Sequence, residues 1–389
     1  MKNLLIGTAL IATLITKSFA QSTLPAANVS TKQEIQLSFQ RALGFLKTKQ
    51  NAETGAWGDA EPVAFTALVL ASHMADPARK PSDPLSPELE KGYAFLIKNV
   101  QPDGGIYIKA RANYNTALAL MALVLHPDPS KFDQAILGAR RFLISRQMDL
   151  DEKGKADNPL DGGIGYGDDK GFHADLSNTH FTLEALKYAE AYLADRGDAL
   201  KNEPKLNFAA AIAFIERCQN LPESNKQPWV STDAKERGGF IYGPTETRGP
   251  KSEPDANGRV AMRSYGSISY AGMLSFIYAG LSNEDPRVKA AVTWLSENFT
   301  VDENPAMGQE GKFYYFHTMA KSLRAAKLDA LKTKDGKVID WKGQLSSKLL
   351  NLQKADGSWT NEAGRWMESD PVLVTSYVLL ALGHVNSTW

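Results

Sequence analysis

Six times along the chain an apolar segment with helical spacing ends in an aromatic–aliphatic pair, usually with a Gln nearby, and runs into a short turn of Gly and an aromatic residue. Phe45-Leu46 with Gln50 precedes Gly55-Ala56-Trp57, and Phe95-Leu96 with Gln101 precedes Gly104-Gly105-Ile106-Tyr107. Phe142-Leu143 with Gln147 leads to Gly162–Tyr166, Phe214-Ile215 with Gln219 to Gly238–Tyr242, and Leu349-Leu350 with Gln353 to Gly357-Ser358-Trp359. The fifth copy, Trp294-Leu295 before Gly311–Tyr314, carries Phe299 in place of the Gln. A second apolar helical stretch follows each turn: 65–71, 114–125, 179–188, 269–279, 318–326 and 374–382. The unit is helix, turn, helix, and such units cannot bury their apolar faces alone, so they must stack. Six hairpins with unequal loops leave no apolar end exposed if they close into a ring. The expectation is an all-α fold, an α/α toroid of six helical hairpins around a cavity.

Start signals fit the same division. Ser86-Pro87-Glu88 and Asp285-Pro286 place Pro just inside a capping residue. The second helices carry apolar and small residues all round, as in Ala117–Leu123, which marks them as the inner, buried layer. Two long polar regions interrupt the units, Met148–Asp161 and the pair Asn220–Arg237 and Gly243–Arg263, and insertions on one rim of a rigid scaffold are where a mouth is built.

Residues 1–20 read as a secretory signal. Lys2 supplies the positive start, Leu4 to Ile15 the apolar run, and Ser18-Phe19-Ala20 the cleavage site, so export is expected, with a flexible leader over 21–34 and a single toroid domain over 35–389. Lys and Arg number 44 and so do Asp and Glu, which removes the electrostatic footprint of a nucleic-acid binder. Cys218 is the lone cysteine, so no intrachain disulfide is available and stability must come from a core that 43% hydrophobic residues can supply.

The repeats resemble a known family. Arg41-Ala42-x-x-Phe45-Leu46 leading to Gln50, Gly55 and Trp57, Lys91-Gly92-x-x-Phe95-Leu96 leading to Gln101 and Gly104, and Gln353–Trp359 above all look like the QW repeats of squalene and oxidosqualene cyclases, over roughly residues 35–385. The segment Tyr315-Phe316-His317-Thr318 is similar to the β subunits of protein prenyltransferases, which share the toroid. The resemblance implies a cavity for an isoprenoid or other small hydrophobic ligand, with which peripheral membrane contact is compatible; it leaves the oligomeric state open. It implies no chemistry by itself, since a repeat that braces helices specifies fold.

The chemistry expected of those families is incomplete here. A type II terpene cyclase is implied to protonate an alkene through Asp-x-Asp-Asp at an inner-helix start; the corresponding segments read Ala60-Glu61-Pro62-Val63, Asp175-Leu176-Ser177 and Glu368-Ser369-Asp370-Pro371. A prenyltransferase is implied to hold zinc with an Asp-x-Cys pair and a His. His317 fits the last, whereas Arg263–Ser269 offers neither Asp nor Cys, so no metal and no cofactor are expected. Asp149, Asp151 and Asp157 lack the full pattern of a calcium loop, because Lys153 interrupts them. Gly162–Gly167 has neither the Lys-Ser/Thr nor the preceding strand of a phosphate loop.

The remaining candidates cluster at inner-helix starts. Asp175, with His180 as proton partner, and Asp370 are candidate acids, and each is also well placed to cap its helix. Tyr114, Asn178, Tyr265, Tyr270, Tyr315, His317 and Tyr377 are candidate ligand-binding groups, the tyrosine rings by cation–π attraction or simply by packing. Three readings follow: an isoprenoid-handling catalyst, a toroid that binds a ligand without chemistry, and, more remotely, a polysaccharide-degrading toroid.

Overall fold

A computed structural model of the chain describes residues 26–167, 173–194, 196–197, 201–256 and 258–389. The export signal expected at 1–20 lies outside them. Twelve α-helices occupy the described residues: α1 (Ala26–Lys47), α2 (Pro62–Met74), α3 (Pro87–Lys98), α4 (Ala112–Val124), α5 (Asp133–Ser145), α6 (Leu176–Ala194), α7 (Phe208–Glu216), α8 (Gly266–Tyr278), α9 (Pro286–Glu297), α10 (Lys312–Ala325), α11 (Trp341–Asn351) and α12 (Pro371–Asn386). A two-stranded ribbon pairs Leu331–Lys332 with Val338–Ile339. Helix α1 starts at Ala26, so much of the segment expected to be a leader is helical; the apolar periodicity that begins at Ile35 gave no sign of the polar turns before it.

Even-numbered helices form the inner layer. Every residue of α4 is buried, as are Val63–Ser72 of α2 and Gly266–Phe276 of α8. Each inner helix packs on the next, and α12 packs on both α10 and α2, which closes the ring. The outer helices bury one face only: α3 buries Leu89, Gly92, Tyr93 and Leu96, a helical stripe turned inward.

Three backbone devices repeat and explain why the turns look alike. The first is the Gln clamp. Gln50 Nε2 donates to Gly55 O of its own turn (2.9 Å) and to Glu88 O at the start of the next outer helix (2.8 Å). Gln147 bonds Gly162 O and Asn207 O in the same way, and Gln219 bonds Gly238 O and Arg287 O. Gln353 bonds Gly357 O and then Ser38 O in α1, so the last repeat is fastened to the first. Gln101 differs, reaching Asn99 O and Tyr107 O within its own turn.

Second, the turn glycine lies against the following outer helix. Gly162 has φ +83°, and a Cβ there would stand 2.0 Å from Ala210 O; at Gly238, φ +97°, it would stand 2.1 Å from Ala290 O. Only glycine combines a positive φ with so close an approach. Third, a Ser or Thr hydroxyl on the inner helix accepts the turn's backbone N–H. Thr66, Thr116, Thr179, Ser269 and Thr375 receive Trp57, Ile106, Ile164, Phe240 and Trp359 at 2.8–3.2 Å. These bonds satisfy buried amides that the short turns leave without a ladder partner.

Candidate functional site

Among the described residues the inner helices enclose a cavity at each end of the ring. The upper one, 390 Å³, is lined by the first turns of the inner helices: Tyr114 on α4, Ser177, Asn178 and Phe181 on α6, Ser267 and Ile268 on α8, Tyr314 on α10, Leu373 and Tyr377 on α12. Tyr166, Tyr242 and Tyr265 reach it from the turns, and Arg111, Trp366, Met367 and Glu368 from the loops. The lower one, 80 Å³, lies among the second halves of the inner helices, with Ala67, Leu118 and Met121 on one side and Glu184, His317, Lys321 and His384 on the other. Phe181 lines both.

Among the described residues, eight aromatic side chains surround the upper chamber. Tyr114 meets Phe181 edge-on at 5.3 Å between ring centroids, and Tyr314 leans on Tyr377 at 6.0 Å. Burial pushes the phenols of Tyr114, Tyr314 and Tyr377 far above the ordinary tyrosine range, so they are neutral donors at any physiological pH. Ser177 and Tyr314 share a hydrogen bond of 3.1 Å, and the hydroxyls of Tyr114 and Tyr377 stand 3.5 Å apart. Three non-glycine residues at the chamber, Arg111, Trp366 and Met367, have φ of 52°, 56° and 66°, a left-handed conformation that the surrounding fold must hold in place. An ion pair with Glu61 fixes Arg111.

Only part of the sequence-based list faces this chamber. Tyr114, Tyr265, Tyr377 and Asn178 line it. Tyr270 and Tyr315 do not; they pack on each other at 5.7 Å between ring centroids, and Tyr315 donates to Thr300 O. Adjacent helical residues point about 100° apart, so in the Tyr314-Tyr315 pair the first ring takes the chamber and the second the core. His317 lines the lower cavity, stacked on Tyr377.

Asp175 is fully buried and absent from the chamber lining. Its Oδ1 accepts Asn178 N–H (2.8 Å) in an N-cap, and its Oδ2 accepts Asn178 Nδ2 (2.7 Å) and pairs with His173 Nε2 (3.1 Å). The histidine partner is thus His173, not His180. His173 also faces Glu246 at 3.4 Å, and the Asp175 hydrogen bond, against the cost of half-burial, raises its pKa. His180 lies in the core 3.9 Å from Glu184, neither ring nitrogen hydrogen-bonded, its pKa driven well below the usual value by burial. Asp370 caps α12 through Val372 and Leu373 amides and is absent from the lining.

Among the described residues the carboxyl group lining the chamber is that of Glu368, two residues before Asp370. It accepts Tyr314 N–H (2.7 Å), Phe313 N–H (3.3 Å) and Asn361 Nδ2 (2.7 Å), capping α10 from a distant part of the chain. Burial nonetheless raises its pKa. Among the described residues none of 148–161, 220–237 or 243–263 lines the chamber; Tyr242 and Tyr265, which flank the last, do. Among the described residues no group of three or more His, Cys, Asp or Glu is placed to hold a metal ion, and no helix is long and apolar enough to cross a membrane.

No protein-family model and no curated protein matches the chain. Solved structures do. The ligand-free type II terpene cyclase MstE from Scytonema superposes with a TM-score of 0.50, covering 92% of this chain and 99% of that one at 14% identity. The chain has the fold of a terpene cyclase. An MstE variant in complex with its substrate geranylgeranyl dihydroxybenzoate matches at TM-score 0.49 and 13% identity, over 92% of this chain and 99% of that one. A protein from Actinoplanes matches at 0.46 and 12%, over 91% and 99%. The start of α6 reads Asp175-Leu176-Ser177-Asn178, and of these Ser177 and Asn178 line the chamber.

Proposed function

We propose that the protein binds an isoprenoid-like hydrophobic ligand in the upper chamber and holds it without protonating it. The observation that carries this reading is the start of α6, where the chamber meets a hydroxyl, Ser177, and a carboxamide, Asn178, while Asp175 is committed to Asn178 and His173. An unactivated alkene demands a strong acid aimed at it, and neither Ser nor Asn can act as one. What remains is a vessel of 390 Å³ walled by aromatic rings that carry hydroxyls, within the roughly 300–1,000 Å³ range of small-molecule sites. MstE itself is crystallised with an isoprenoid compound, but at this identity the likeness speaks for fold, so the ligand class rests on the chamber.

In this proposal the protein works outside the cytoplasm, on the strength of residues 1–20. Mass spectrometry of lipids extracted from the purified mature protein tests the reading. A co-purifying isoprenoid that disappears in Ser267→Trp, which fills the chamber, supports it; a chamber that yields no lipid and takes up none when farnesol is added refutes it.

One observation favours cyclisation instead. Glu368 is a chamber carboxyl whose raised pKa helps it keep a proton. Its oxygens already accept two backbone amides and Asn361, which opposes that role. Cyclic product from a linear polyene, lost in Glu368→Gln, would move the assignment to catalysis.

A further inference from the structure

The lower cavity holds polar groups that the upper chamber leaves unused. Ala67, Leu118 and Met121 give it an apolar side, and Glu184, Tyr188, Lys321, Arg324 and His384 also line it. Glu184 and Lys321 are buried and bonded to each other, Nζ to Oε2 at 2.6 Å, and Tyr278 donates to the second oxygen of Glu184 at 3.3 Å. Tyr188, Arg324 and His384 are half-buried instead. Arg324 Nη1 stands 3.3 Å from His384 Nδ1, and a guanidinium can only donate, so Nδ1 accepts and the ring proton sits on Nε2. Neither that Nε2 nor the Tyr188 hydroxyl has a hydrogen-bond partner among the described residues, and both keep accessible surface, unlike the sealed Nδ1 of His317. Burial pushes the His384 imidazole well below its usual pKa and the Tyr188 phenol far above its own, which keeps both in their neutral, donating forms.

We infer that the lower cavity is a second binding site, for the anion of a short-chain monocarboxylic acid, whose carboxylate accepts from His384 Nε2–H, Tyr188 O–H and the Arg324 guanidinium while its alkyl end lies against Ala67, Leu118 and Met121. The donors fit a carboxylate because a guanidinium presents a planar fork that matches two oxygens, and charge-assisted bonds of this kind are the strong ones. The apolar side argues against a bare inorganic anion, which would leave those methyl groups unmatched. Size sets the chain length. An apolar cavity of about 150 Å³ takes up benzene, so 80 Å³ suits a molecule with about half as many carbons, such as propionate. The site takes a different ligand in a different cavity, so it stands or falls apart from the upper-chamber reading.

Isothermal titration of the full mature chain with propionate, 1-propanol and inorganic phosphate tests this. Propionate and propanol share a three-carbon chain, and phosphate supplies an anion without one. Propionate is expected to bind at least about 10-fold tighter than either, the order of one charge-assisted hydrogen bond. Tyr188→Phe, which removes only the hydroxyl, and His384→Leu are each expected to weaken propionate about 10-fold, with a urea midpoint for each variant showing that it is folded. Equal affinities for propionate and propanol, or phosphate bound as tightly as propionate, would overturn the carboxylate class. Propionate binding unchanged in both variants would overturn the assignment to this cavity, and binding of none of the three would overturn the site itself.

Discussion

His317 stacks on Tyr377 with ring centroids 5.2 Å apart and planes 12° from parallel, and the two rings belong to different compartments. Tyr377 lines the upper chamber and His317 the lower cavity. Together with Phe181, which lines both and lies under the Lys321 ammonium at 5.2 Å, they form a partition across the ring. Phe181→Ala should open that partition. The expected result is a gain in affinity for a C30 chain relative to a C15 chain, with a stability loss of about 3 kcal/mol from truncating a buried ring. Calorimetry with the two chain lengths and urea unfolding check it.

Ring closure depends on Gln353. Its Nε2 reaches Ser38 O and Gly357 O, and its Oε1 accepts Arg41 Nε at 3.0 Å. Gln353→Ala leaves those partners unpaired and should lower unfolding free energy by about 1–3 kcal/mol. Gln101→Ala should cost less, because Gln101 bonds only within its own turn. Chemical denaturation of the two variants side by side gives the comparison; equal losses would mean the inter-repeat bond contributes nothing special.

Gly154 and Gly162 separate two reasons for a glycine at a turn. Both have positive φ, but nothing lies within 4 Å of a Cβ at Gly154, whereas at Gly162 the Ala210 carbonyl lies 2.0 Å away. Gly154→Ala should cost about 1 kcal/mol, the strain of a left-handed alanine. Gly162→Ala should cost clearly more, since strain and collision add, and thermal unfolding of the two proteins measures the difference.

Acid should weaken the fold. Burial lowers the pKa of His180, His317 and His384 well below 6.5 and that of His73 to about 4. Their folded pKa values lie below the unfolded one, so below pH 6.5 the unfolded chain takes up protons that the folded chain refuses. Stability is therefore full above about pH 6.5 and falls as pH drops toward 4, by up to about 1.4 kcal/mol per pH unit for each such group. His173 and Glu368, with raised folded values, act in the opposite sense: each stabilises at low pH and loses that contribution as pH rises through its folded pKa. The net expectation is a lower urea midpoint at pH 5 than at pH 7.5, with a shallower drop in His180→Phe.

The architecture was legible because it repeats. Each Gln, glycine and aromatic recurs at a spacing set by backbone contacts, and six copies make the pattern visible where one would not. The site was less legible because its residues do not repeat. Asp175 and Asp370 were plausible acids by position, yet a residue just before an inner helix is also where a carboxylate best caps amides, and that use won at both. Glu368 was hidden for the opposite reason: it caps α10, a helix more than fifty residues earlier in the chain, through bonds no local pattern announces. Tyr314 and Tyr315 show the limit of residue type alone, since only the helical phase decides which ring meets the cavity. Tyr166 and Tyr242 carried a usable signal, each two residues beyond the buried aliphatic or aromatic that anchors its turn, Ile164 and Phe240.

The central claim is that the upper chamber is the ligand site, and a crystal structure of the mature protein grown with farnesol tests it most directly. The account predicts continuous density for the chain among Tyr114, Tyr265, Tyr314 and Tyr377. Density confined to the lower cavity or the outer surface, or a chamber occupied by water alone at saturating ligand, would contradict it.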